Sequence, residues 1–145
     1  MSDPSLAIQG ALVAALKADA SLRALVSDPV RVYDRVPENP TYPYLRVGPG
    51  QTTGDDNSCW NASEVFASVD VFSTEPGFPQ CKRIAAHVRR VMKQEFVLND
   101  EGSPPAPAFL LVEAEFITDR FLDSPDGLTS HAVVEFRYLV DHPKN

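Results

Sequence analysis

The stretch SEVFASVDVFSTEPGFPQCKRIAAHV, Ser63 to Val88, changes its hydrophobic period half-way along, and that change decides the fold class. In Glu64–Phe72 the apolar residues Val65, Ala67, Val69 and Val71 alternate with the rest and so share one face of a strand. Phe66 and Phe72 fall on the other face beside Ser68 and Asp70, which predicts partial cover there as well. Glu75-Pro76-Gly77 then breaks the strand. From Pro79 to Lys93 the period is helical. At roughly 100° per residue, Cys81, Ile84, Ala85, Val88, Val91 and Met92 fall within an arc of about 120°. Lys82, Arg83, His87, Arg89, Arg90 and Lys93 fill the opposite arc. The apolar arc requires a sheet to pack on.

Upstream, Asp3 can cap a helix with Pro4 in its first position, where a missing N–H does no harm. Ile8, Leu12, Ala15 and Leu16 continue it to about Ala18. Asp19 can restart a short helix carrying Leu22, Leu25 and Val26. Val30–Val36 and Tyr44–Val47 read as strands around the connection Pro37–Pro43, and Gly48, Pro49 and Gly50 end or bend the second. Gln51–Ala62 reads as a polar loop with one bulky residue, Trp60. Downstream, Asn99–Pro107 reads as a loop and Phe109–Ile117 as a strand, with Leu110, Val112, Ala114 and Phe116 inward and Glu113 and Glu115 outward. Ser124-Pro125-Asp126-Gly127 is a turn signal. The last strand, His131–Val140, puts Ala132, Val134, Phe136, Tyr138 and Val140 on one face and Glu135 and Arg137 on the other, and pairs with its predecessor as an antiparallel hairpin. The order predicts an α+β fold: a mainly antiparallel sheet with helices packed on one face. The other face, with its charges, must meet water or a polar partner.

The whole chain of 145 residues fits a single domain spanning residues 1–145. Its longest apolar-rich stretch, Leu6–Leu16, is too short for a bilayer, and no signal peptide is read at the N-terminus. The expected location is the cytoplasm, with no membrane partner. A formal net charge of −7 argues against DNA or a membrane surface as the main partner. Cys59 and Cys81 form no CxxC pair and read as free thiols.

No catalytic motif emerges. There is no Walker-type loop, GxGxxG after a strand, HExxH or GxSxG. His87, His131 and His142 have no partner at metal-ligand spacing, and Asp55-Asp56-Asn57 lacks the ligand pattern of an EF-hand, so it reads as a solvated loop tip. No base lies near Cys59 in sequence to activate it. The expectation is a non-enzyme without metal or cofactor. The basic helix face is more informative. Lys82, Arg83, Arg89, Arg90 and Lys93 give +5 within twelve residues that contain no acid, leaving −12 on the remainder (−7 − 5). Such a face is either simply solvated or an electrostatic contact surface. Opposite signs on separate patches suit head-to-tail self-association, which closes into a ring when the rotation permits. Trp60 either plugs the end of the core or anchors an interface, the former weighing more.

Three stretches together resemble a known family: VYDRVPENPTYPYLRVGPGQTTGDD (Val32–Asp56), Ser63–Val88 as quoted, and DRFLDSPDGLTSHAVVEFRYLV (Asp119–Val140). Preceded by a helix of the type DPSLAIQGALVAALKAD, they are similar to the tail-terminator or tail-completion proteins of long-tailed phages, prophages and gene transfer agents. The resemblance implies an α+β domain that forms a hexameric ring on the head-proximal end of the tail tube. That ring stops tube growth and offers a docking surface for the head's connector proteins. The implied partners are further copies of the chain, the tube protein and a connector or adaptor, without sequence-specific nucleic acid but with room for DNA to pass through the ring. Asp55, Asp56 and Trp60, with the five cations of the helix, are the candidate assembly residues. The competing readings are a head–tail adaptor and a small ligand-binding or hydrolytic α+β domain.

Overall fold

The computed structural model describes residues 4–54, 62–94, 96, 98–99 and 107–141. Helices α1 (Pro4–Ala18) and α2 (Ala20–Leu25) precede strands β1 (Val32–Tyr33), β2 (Tyr44–Val47), β3 (Gln51–Gly54) and β4 (Ala62–Ser73). Helix α3 (Pro79–Met92) follows, then β5 (Leu98–Asn99), β6 (Pro107–Asp123) and β7 (Ser130–Asp141). The sheet order is β1-β2-β4-β7-β6-β5, with β3 sharing an edge of β4. Every pairing is antiparallel except β1 with β2. The α+β architecture expected from the sequence is therefore the observed one. No helix among the described residues is long and apolar enough to cross a membrane.

The core lies between the helices and one sheet face. All six apolar-arc residues of α3, Cys81, Ile84, Ala85, Val88, Val91 and Met92, are buried. They meet Val65, Ala67, Val69 and Val71 of β4 and Ala132, Val134, Phe136, Tyr138 and Val140 of β7 in one cluster, to which α1 adds Ile8, Leu12 and Leu16. The Tyr138 hydroxyl donates to the carbonyl of Met92 at 2.8 Å, tying β7 to the end of α3.

Three sequence expectations are corrected. The strand expected over Val30–Val36 is only Val32–Tyr33, because the Arg31 N–H is taken by Ser27 Oγ and its guanidinium by the Pro43 carbonyl. Gln51–Gly54, expected as loop, is a strand. β2 and β3 run in succession along the same edge of β4, and their register shifts by one residue between Val47↔Val69 and Gln51↔Phe66. The Gly48-Pro49-Gly50 bend absorbs the extra residue. Gly50 has φ +72° and a Cβ there would lie 2.6 Å from the Phe66 carbonyl oxygen, so the bend needs glycine.

The third correction concerns β6, which is longer than expected and bulges twice, between Leu111 and Glu113 and between Phe116 and Thr118. Each bulge inserts one residue and reverses which side chains face the core. The residues opposite the inward side chains of β7 are Leu111, Ala114, Phe116, Asp119 and Phe121. Ala114 and Phe116 face in as expected, but Leu110 and Val112 are 64% and 46% exposed, and Phe109 is buried instead. The β6–β7 hairpin closes at the expected turn. Gly127 has φ +69° and donates to the Ser124 carbonyl, and the Asp126 carboxylate accepts from Leu128 N, Thr129 N and Thr129 Oγ1.

Candidate assembly surface

The polar arc of α3 lies over the outer part of the sheet, beside β6. Each of its five cations meets a partner from another element. Lys82 Nζ sits 5.0 Å from the centre of the Phe121 ring, and the Arg89 guanidinium 4.0 Å from that of Phe116. Arg89 also approaches Asp119 at 3.8 Å, and Arg83 approaches Glu75 at 3.9 Å. Lys93 Nζ donates to the Ala114 carbonyl at 2.8 Å. These aromatic and acidic partners come from β6 and the β4–α3 turn, so the helix sequence alone could not show them. The face nevertheless stays wet, with the Arg83, Arg89 and Arg90 side chains 60%, 52% and 49% exposed.

Arg90 is the most firmly held. One of its terminal nitrogens lies 2.9 Å from both carboxylate oxygens of Asp19, and Asp19 also accepts the Leu22 N–H at 3.1 Å as the N-cap of α2. Burial pushes the Asp19 carboxyl upward, but the hydrogen bonds from Arg90 and Leu22 outweigh it and hold the group below the usual carboxylate range. Its folded pKa being depressed, the stability it contributes is fully present above about pH 3.8 and is lost as pH falls through the folded value. Asp19→Ala should cost about 1–2 kcal/mol at neutral pH through loss of the cap and the pair. Asp19→Asn, which still caps, should cost less, and its deficit should close below about pH 3.8 in denaturant melts. A deficit constant from pH 7 to pH 3 would refute the charge pair.

Between α3 and the sheet opens a groove of about 580 Å³ with Phe116 and Phe136 at its base and Lys82, Arg89, Arg90 and Lys93 along its margin. Among the described residues, Asp119 is the one acid that lines it. The other sequence candidates, Asp55, Asp56 and Trp60, lie outside the described residues, as do Cys59 and His142.

The opposite sheet face holds two cross-strand clusters that sequence spacing did not reveal. Arg137 reaches Glu64 at 3.0 Å, Glu115 at 3.3 Å and Glu113 at 3.7 Å, so the charges expected to meet water or a partner largely meet each other. His131 Nε2 lies 3.0 Å from Asp70 Oδ1 and its ring stacks on Phe72 at 4.4 Å. No group of three potential metal ligands exists among the described residues. Cys81 is buried with its thiol pushed up to about 11 by burial, which makes it inert.

The sequence model of the family described as Tail completion protein gp17 matches residues 10–141, nearly the whole chain. The chain belongs to this family. A search of curated proteins finds no match. Among solved structures, this tail completion protein is similar to a chain of the virion of a native gene transfer agent particle. The two share 25% sequence identity with a TM-score of 0.77, over 92% of this chain and 93% of that one. In this tail completion protein the α3 margin sets Lys82, Arg89, Arg90 and Lys93 beside an aromatic base.

Proposed function

We propose that six copies of this chain form a ring on the head-proximal end of the tail tube, stop tube growth and join the tail to the head. The observation that carries this reading is the likeness, along nearly the full length of both chains, to a component of an assembled gene transfer agent particle. The protein acts by binding and geometry, with no catalytic step. The net charge of −7 keeps unassembled subunits soluble in the host cytoplasm until they join the tube. The ring then stays at the head–tail junction, between tube protein and connector, with DNA passing through its centre. The exposed cations Lys82, Arg83 and Arg89 serve as the assembly surface. Arg90 serves the fold first, through Asp19.

Electron microscopy of particles from cells lacking the gene tests this reading. Overlong tubes with tailless filled heads are the expected result. Tails of normal length detached from heads would show an adaptor instead, and intact particles would end the assembly reading.

A further inference from the structure

We propose that the groove between α3 and β6 is the socket of the ring contact, and that it receives the segment Asp55–Trp60 of a neighbouring copy; the inference rests on the ring reading above. The socket has two chemistries. Its base is aromatic, the partly exposed Phe116 ring backed by the buried Phe136, and its margin carries four cations. Those cations are already tethered, Arg89 over the Phe116 ring, Lys93 on the Ala114 carbonyl and Arg90 on Asp19, so little side-chain freedom is lost when an anion docks. Such a site selects a ligand with carboxylates beside a large apolar group. The sequence Asp55-Asp56-Asn57-Ser58-Cys59-Trp60 carries two carboxylates and the only tryptophan of the chain. Asp56 and Trp60 are four positions apart, a reach of at most about 14 Å, and the margin from Lys82 to Lys93 runs about 16 Å along the helix. The extended segment can therefore cover most of the margin. Nucleic acid fits less well, because the Asp119 carboxylate lines the groove and Asp19 flanks it.

Gly54 and Ala62, the strand ends that flank the segment, lie away from the socket. The segment joins Gly54 of β3 to Ala62 of β4, and Ala62 pairs with Asp141. The socket lies at Phe136, which pairs with Ala67, about 16 Å further along β4. A contact between different patches on successive copies is heterologous and generates a ring when its rotation closes.

The test is a cysteine link in assembled particles. In Gln94→Cys the new thiol stands at the margin of the groove, next to the native Cys59 of a docked segment, while Cys81 is buried and unreactive. Diamide oxidation of particles carrying this variant should give a ladder of covalently linked copies, reversed by dithiothreitol and absent from Gln94→Cys/Cys59→Ser. A link within single chains would overturn the proposal, because the segment would then fill its own groove. Particles that contain the chain but show no link overturn the socket alone, whereas a chain missing from particles overturns the ring reading as well. Independently, Lys82→Glu/Arg89→Glu should lower incorporation into particles by at least about tenfold. Adding Asp55→Lys/Asp56→Lys should bring it back to within about threefold of the native level. Failure of that restoration in folded protein counts against the pairing.

Discussion

Val88→Asp is expected to give a chain with no cooperative thermal transition. Val88 is fully buried in the centre of the α3 arc, among Ala67, Val69 and Phe136 of the same core cluster. A carboxylate placed there has no cation to pair with, since the basic residues of α3 point to the opposite side. An uncompensated buried charge costs several kcal/mol after relaxation, and a domain of this size has about 5–15 kcal/mol in total. Arg89→Glu, one residue along, is the control. Its side chain is 52% exposed, so loss of its contact with Phe116 and its pair with Asp119 should leave a folded monomer melting only slightly lower. Circular dichroism melts of the two variants decide the matter. A normal melting temperature for Val88→Asp would overturn the assignment of which helix face is buried.

Phe136→Ala is the second large effect, at about 3–5 kcal/mol and a fall in Tm of roughly 10–20 °C. Phe136 is fully buried, lies 5.7 Å from Phe116 and 5.8 Å from Tyr138, and pairs with Ala67 and Phe116 across the two longest ladders of the sheet. Alanine at 67 leaves room for the ring, and nothing on β4 can move to fill the space once the ring is gone. Phe136→Leu, which keeps most of the volume, should cost less than about 1.5 kcal/mol. Equal losses for the two variants would show that the site collapses around the smaller side chain. The variant also removes part of the groove base, so Phe136→Leu at permissive temperature separates a fold defect from an assembly defect.

Wherever one period held without interruption, it was readable from the residues alone. The alternation of β4 and β7 and the apolar arc of α3 each predicted the buried face residue for residue, because a regular element needs only local geometry to decide what shares a side. Caps and turns were readable for the same reason. Asp19 caps α2 and Ser124–Gly127 closes the β6–β7 hairpin through contacts only a few residues apart. The charge and count of the basic face were equally legible.

Tertiary structure alone decided three things. The two bulges of β6 moved Leu110 and Val112 to water, because a bulge is set by the register against β7 and leaves no mark in the period of β6 itself. β3 exists only because β4 is long enough to carry a second partner after β2, an edge that Gln51–Gly54 cannot announce. Above all, the cations of α3 acquired their partners from Asp19, Glu75, Ala114, Phe116, Asp119 and Phe121, distant in sequence and brought together by packing. Composition determined that this helix is basic. Only the folded chain set those charges around an aromatic groove, because electrostatic partners are chosen by distance in space.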